Sequence, residues 1–188
     1  MRGFDLDAPI RTERLLLRAF VPGDLGFLRA MQTDEDVVRY LEWGPRTPGE
    51  IAESLRKKIA ATAIRGRGDV LSLAAVLPDT GEMVGDLVLH CVSEVDERGE
   101  IGFIVPPAHQ GKGYATEAAR ALLGIAFHEV GFRRVIGQVE SSNVASARVL
   151  EKLGMRLEAR FVENVFVKGE WQDEMIYAIL AREWWATR

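Results

Sequence analysis

Two glycines fall inside the stretch Gln110-Gly111-Lys112-Gly113-Tyr114-Ala115, between an apolar run, Ile101 to Val105, and an alanine-rich segment. A glycine pair at a strand-to-helix turn lets the backbone approach a ligand closely, because no Cβ stands in the way. The start of a helix leaves N–H groups without intrahelical acceptors, and the positive end of the helix dipole lies behind them. Together these make an anion site best suited to a phosphate or pyrophosphate. A chain built around this turn must set a strand directly against a helix.

The 188 residues suffice for one domain, at most with an elaboration, and for a sizeable core. The chain is 47% hydrophobic and 28% charged, with a net charge of −4, which is ordinary for a soluble globular protein. It lacks the basic excess that nucleic acid or an anionic membrane demands, so neither partner is expected. Its single cysteine, Cys91, can form no intrachain disulfide and reads as a small buried hydrophobe. The opening Met-Arg-Gly-Phe-Asp-Leu-Asp has no apolar h-region, and no run is long enough to span a membrane, so a cytoplasmic location is expected. His90, His109 and His128 share no metal-ligand spacing, and no metal is expected.

Residues 1 to 11 read as a loose lead-in, and Arg14 to Phe20 as a strand. Pro22-Gly23-Asp24 starts a helix with Asp24 as its cap, and a short helix covers Asp34 to Leu41. Glu50 to Ile64 has helical spacing through Ile51, Leu55 and Ile59. Val70 to Leu77 and Met83 to Val92 form a hairpin about Pro78-Asp79-Thr80-Gly81, and Glu100 to Val105 is the next strand. Both faces of the Met83 to Val92 run are apolar, which marks a central strand. Ala115, Ala118, Ala119, Leu122, Leu123 and Ala126 sit at i, i+3, i+4, i+7, i+8 and i+11, the clearest helix of the chain, ended by Gly131. Arg134 to Glu140 is a strand, and Asn143 caps a helix that runs to Leu153 with Gly154 at C′. Leu157 to Val167 and Trp171 to Leu180 make a last hairpin. The order β-α-α-β-β-β-α-β-α-β-β implies a mixed α/β fold: a mostly antiparallel mixed sheet with helices on its faces.

Two other phosphate motifs do not fit. A Walker A loop needs its lysine after the second glycine and a hydroxyl for Mg²⁺, whereas Lys112 lies between the glycines. A dinucleotide fingerprint opens an early βαβ unit, whereas this turn follows a fourth strand and carries Thr116 in the motif. The pattern that fits is Gln/Arg-x-x-Gly-x-Gly/Ala, at Gln110, Gly113 and Ala115. It resembles the pyrophosphate loop of the GCN5-related N-acetyltransferases (GNAT). Further segments match that family in order: Thr12-Glu13-Arg14-Leu15-Leu16-Leu17-Arg18, Gly85-Asp86-Leu87, Glu100-Ile101-Gly102-Phe103, Tyr114-Ala115-Thr116-Glu117-Ala118, Asn143-Val144-Ala145-Ser146 and Glu151-Lys152-Leu153-Gly154-Met155. The resemblance spans about residues 12–182 of a single domain at 1–188. The branch it resembles acetylates the N-terminal alanine or serine of ribosomal proteins.

The resemblance implies a sheet of about seven strands, splayed between the fourth and fifth, with acetyl-CoA as co-substrate and no metal. Backbone N–H groups of Gly111, Lys112, Gly113, Tyr114, Ala115 and Thr116 would hold the CoA pyrophosphate, with Gln110 positioning the loop. Phe103, Ile104 and Val105 would pair with the pantetheine arm as an added strand. Asn143 would touch the pantetheine as well as cap its helix. Ser146 would donate to the CoA sulfur; where many relatives place a tyrosine, this chain has Leu150.

Acyl transfer to an amine needs a neutral amine, a donor for the oxyanion and a proton for the thiolate. Glu100, opening the fourth strand beside the gap, is the candidate base, acting through water, and burial would raise its pKa toward that role. The resemblance places a carboxylate near Val165, with Glu163 one pleat away, so Glu163 is the other candidate. Trp43, with Gly44-Pro45-Arg46, is the candidate wall of the acceptor site. Arg148 and Lys152 share a helix face, either solvated or near the CoA 3′-phosphate. Trp184-Trp185 reads as packing on the sheet edge or on a second subunit. The acceptor is a small-molecule amine or a protein N-terminus, and the chain a monomer or homodimer. The alternatives are a catalytically weak CoA-binding regulatory module and, disfavoured by the motifs, a nucleotide-binding protein.

Overall fold

The computed structural model describes residues 1–186. In chain order its elements are β1 (Phe4–Asp5), β2 (Ile10–Arg11), β3 (Leu16–Arg18), α1 (Leu25–Thr33), α2 (Glu35–Val38), α3 (Pro48–Ala60), β4 (Ala63–Ile64), β5 (Val70–Val76), β6 (Met83–Ser93), β7 (Arg98–Ile104), α4 (Tyr114–Gly124), β8 (Arg134–Glu140), α5 (Val144–Lys152), β9 (Arg156–Val167), β10 (Glu170–Leu180) and α6 (Ala181–Ala186). One sheet runs β2-β3-β5-β6-β7-β8-β10-β9, and β1 pairs with β4 in a two-stranded ribbon. Every neighbour in the large sheet is antiparallel except β7 and β8.

Alternation along β5 shows why the sheet is covered on both faces. Leu71, Leu73 and Ala75 join Leu87, Leu89, Leu122, Leu123 and Phe132 under α4 and α5. Ala74 and Val76 join Leu28, Met31, Ile51 and Leu55 under α1 and α3. A strand buried on both sides reads as a continuous apolar run, which is how β5 and β6 read in sequence.

The structure corrects several sequence expectations. The sheet has eight strands rather than about seven, because β2 adds an edge. Residues 1 to 11 are no loose lead-in: β1 pairs with β4, and the Leu6 N–H donates to the Thr62 carbonyl at 2.9 Å. The α3 helix begins earlier, at Pro48, where Thr47 and Glu50 form a reciprocal capping box, and ends at Ala60, so Ala63–Ile64 is strand. Asp24 makes no cap bond to α1; its buried carboxylate turns back to accept from the Val21 N–H at 2.9 Å and from Arg18. The helix expected from Asp34 to Leu41 is only Glu35–Val38, although Asp34 does cap it. Trp184 packs on Phe127 at 5.7 Å between ring centroids, on the helical layer rather than the sheet edge.

Gly99 shows how tightly the strands near the parallel pair are packed. A Cβ there would lie 2.6 Å from two ring atoms of Phe132, which is itself buried. We predict that Gly99→Ala lowers stability by about 1–3 kcal/mol, as overpacking does. Denaturant unfolding with an unchanged m-value checks this.

Candidate active site

β7 and β8 pair only through Arg98↔Arg134, Gly99↔Val135 and Glu100↔Ile136. Beyond that point they part, and the edge of β7 from Ile101 to Ile104 faces a slot instead of a strand. Parallel pairing usually continues with the strands, so its loss after three pairs leaves main-chain donors and acceptors of β7 open to a bound chain. Pro106 then takes the chain out of the sheet.

The glycine turn lies where β7 hands over to α4. Gly111 and Gly113 both adopt left-handed φ, 72° and 83°, which favours glycine at both positions. The first intrahelical bond runs from the Glu117 N–H to the Gly113 carbonyl, so the N–H groups of Tyr114, Ala115 and Thr116 lie in the unpaired first turn. Gln110 Nε2 donates to the Val105 carbonyl at 2.8 Å and ties the turn to the strand end. From 98 residues away, Arg14 Nη1 donates to the Lys112 carbonyl at 2.8 Å. The same guanidinium lies 5.0 Å from the Tyr114 ring and donates through Nε to Glu117 Oε2 at 2.7 Å. Burial works against the Glu117 carboxylate. Hydrogen bonds from Thr12 and from the Arg14 main chain and side chain outweigh it and hold the pKa below the usual range. Sequence reading quoted Arg14 and Glu117 in separate motifs and missed their partnership.

A cavity of about 1080 Å³ opens from the slot over the β5–β6–β7 face that α3 covers. It is walled by Trp43, with Arg46 of the same loop, and by Phe103, Ile104, Asn143 and Ser146, which the sequence had singled out, and by Tyr40, Lys58, Asp86 and His90, which it had not assigned to a site. Residues 110–116 lie outside its wall, at the head of α4. Asp86 is 3% exposed, and both its carboxylate oxygens lie 2.8 Å from Lys58 Nζ. Burial pushes the Asp86 carboxyl up, while the Lys58 charge and hydrogen bond, and the Arg46 charge, pull the other way. An acidic residue inside an otherwise apolar central strand was the available signal for this pair.

Cross-strand register places Glu100 opposite His90, Gly102 opposite Val88, and Ile104 opposite Asp86, so Glu100 shares the cavity's face of the sheet. Glu100 is half-buried. Burial raises its pKa above the ordinary carboxylate range, and the negative charges of Glu42 and Glu174 add to this, against Arg98. Burial lowers the pKa of His90, and the Lys58 charge adds to the effect. Glu174 is buried and accepts from Gln138 Nε2 at 2.5 Å and from Asn164.

On the opposite face, Asn143 Oδ1 accepts from the Ser146 N–H at 3.1 Å, capping α5. Leu150 presses against Gly137 of β8, where a Cβ would meet its side chain at 2.8 Å. Glu163 lies elsewhere. It is exposed, with φ 48°, on a bulge where the β9–β10 register shifts between Gln172 and Glu174, and its N–H donates to Asp173. The simple alternation that put it on the face of Val165 is broken by that bulge. At the tip of the same hairpin, Lys168 Nζ donates to the Val38 carbonyl at 2.6 Å and the Arg39 carbonyl at 3.2 Å. Among the described residues, no group of three or more His, Cys, Asp or Glu could hold a metal ion, and no helix is long and apolar enough to cross a membrane.

Residues 14–156 match the family model described as an acetyltransferase (GNAT) domain. The uncharacterized N-acetyltransferase YnaD of Bacillus subtilis (strain 168) is 33% identical over 175 residues, covering 93% of this chain and 98% of that protein. A GNAT-family acetyltransferase from Bacillus anthracis superposes with a TM-score of 0.84 at 32% identity, covering 93% of this chain and 99% of the other. The spermidine N-acetyltransferase of Vibrio cholerae, in complex with CoA and spermine, shares the fold with a TM-score of 0.77 at 23% identity, over 92% and 98% of the two chains.

The Asp86–Lys58 pair gives a sharp test of the cavity's electrostatics. Removing one partner of a buried pair leaves an uncompensated charge, which costs about 3–5 kcal/mol. We predict a loss of that size for Lys58→Met at neutral pH, largely recovered in Lys58→Met/Asp86→Leu. The folded pKa of Asp86 lies above its unfolded value, and losing Lys58 raises it further. The variant is therefore most stable at low pH and loses stability as pH rises through the folded pKa. Urea melts across the acid range check both statements.

Proposed function

Because the chain belongs to the GNAT acetyltransferase family, we propose that it transfers the acetyl group of acetyl-CoA to a primary amine by direct attack within a ternary complex. The observation that carries this reading is the half-buried Glu100 set where β7 and β8 cease to pair, with a glycine-headed helix at the other end of the same strand. In this reading the N–H groups of residues 111–116 hold the pyrophosphate, and Phe103, Ile104 and Val105 run beside the pantetheine. The thioester then sits in the slot between Glu100 on one face and Ser146 on the other.

The chemistry follows from these positions. The acceptor arrives as an ammonium ion, attracted by Glu100, Glu42 and Glu174. Glu100, through water, takes one proton and leaves a neutral amine. The nitrogen lone pair attacks the thioester carbonyl, a C–N bond forms and the C–S bond breaks. The Ser146 hydroxyl donates to the departing sulfur, and the second amine proton replaces it. The products are the N-acetyl amine and CoA thiol, with one proton released overall. Trp43 bounds the acceptor on the side of the α2–α3 loop. The acceptor class is a small-molecule amine or a protein N-terminus, and both are amines near neutrality that need only modest basic help. The reading further takes residues 1–188 as a single domain at work in the cytoplasm, supported by a buried, free Cys91.

A CoA-binding module without catalysis would have no use for a carboxylate raised in pKa at the slot, which favours the enzyme. Glu100 must be ionised to act, and its folded pKa is raised. The acid limb of kcat/KM therefore lies above the ordinary carboxylate range, with activity rising as pH rises through it. We predict that Glu100→Gln lowers kcat by about 100-fold or more and flattens that limb, as loss of a general base does. Thiol release from acetyl-CoA, measured across pH with an Ala- or Ser-starting peptide or a small amine, is the test. An unchanged profile would remove Glu100 from this role.

A further inference from the structure

The cations that wall the cavity are not equivalent. Lys58 is held by Asp86, Arg56 and Lys57 by Glu53, and Arg65 by Asp5. Arg46 differs: among the described residues its side-chain partners are neutral. Its Nη1 donates to Gln32 Oε1 at 3.2 Å, and its guanidinium stacks 3.9 Å over the Trp43 ring. The carboxylates whose pKa it influences are engaged elsewhere. Asp86 is bound by Lys58, and Glu50 accepts from the Thr47 N–H and hydroxyl. Gln32 is itself 1% exposed and fixed by donating to Ser54 Oγ at 3.0 Å. A guanidinium held in place by a buried amide and an aromatic face, with most of its donors unused, is preorganised for a planar oxyanion.

The slot end, where Glu100 lies across from the cavity-lining His90, has the opposite sign. The negative charges of Glu42 and Glu174 both act on Glu100 and, with burial, raise its proton affinity. Glu100 faces His90, and Asp86, which feels the Arg46 charge, lies on the same face of β6 four residues from His90. That spacing amounts to about 13 Å of extended strand. The cavity is thus bipolar, negative beside the slot and positive toward Arg46.

Building on the acetyl-transfer reading, we propose that the acceptor carries a carboxylate roughly 10 Å from its reactive amine, the reach of about three extended residues, and that Arg46 binds it. A polyamine, cationic at both ends, would set one ammonium against Arg46. A short peptide acid, or a peptide-like amino acid of that length, matches both poles.

The test compares Ala-Ala-Ala with its C-terminal amide, and both with spermidine, by thiol release from acetyl-CoA. A bidentate charge-assisted contact predicts about a ten-fold or greater preference in kcat/KM for the acid over the amide, expressed mainly in KM. Arg46→Gln should abolish the preference and leave the KM for acetyl-CoA unchanged, which also shows that the variant is folded. Arg46→Lys should retain part of it. Equal use of acid and amide by the wild type, or a preference that survives Arg46→Gln, overturns the proposal. So does an Arg46→Gln variant whose defect lies in acetyl-CoA binding. Turnover of spermidine with neither peptide accepted overturns it while leaving acetyl transfer standing. No turnover of any amine overturns both.

Discussion

The parting of β7 and β8 governs most of what this chain can do. Three residue pairs join the strands, and then each continues without the other, β7 toward the glycine turn and β8 toward the cap of α5. A sheet interrupted in this way would expose unpaired main chain at its centre, a cost that only a ligand or water can offset. The surrounding construction keeps the gap open. Leu150 is wedged against Gly137 of β8 from the α5 side, and Gln110 and Arg14 fasten the turn at the end of β7. The slot and the cavity thus adjoin where β7 and β8 part, with the glycine-headed helix at the far end of β7.

Around this gap the charges are sorted by commitment. Carboxylates and cations of the wall mostly neutralise each other in pairs, as Asp86 does with Lys58 and Glu53 with Arg56. Those that are not so paired define the field a substrate meets. Glu100 is pushed toward its protonated form by burial and by its acidic neighbours, and Arg46 is held by neutral groups. Because the interior is less polarisable than water, these few charges outweigh the far more numerous surface ones.

Sequence made the local features legible and the long-range ones not. Arg134 to Glu140 was read with the bounds the structure gives, because a short apolar strand between a helix-ending glycine and a helix cap has few alternatives. Asn143 was read as a cap, and it accepts the Ser146 N–H. The glycine turn was legible because left-handed backbone at a helix start selects glycine strongly. The partnership of Arg14 with Glu117 was not, since the two are 103 residues apart and each fits its own element. Glu163 was misplaced because period-two alternation cannot foresee a bulge that adds residues to one strand. Asp24 was read as a cap because its fixation by Arg18 is a tertiary choice. The short strands β1 and β4 carry too few residues for any periodicity to register.

The ammonium of Lys168 has a role that is mechanical rather than chemical. It reaches from the outermost hairpin of the sheet to the carbonyls of Val38, which ends α2, and Arg39, just before the loop that bears Trp43 and Arg46. It thus joins the hairpin to the end of α2. Whatever shifts the hairpin, including a change on its outer edge, is passed to the main chain that leads into that loop. A polar contact at the rim of the sheet thus couples its last hairpin to a segment 130 residues earlier in the chain.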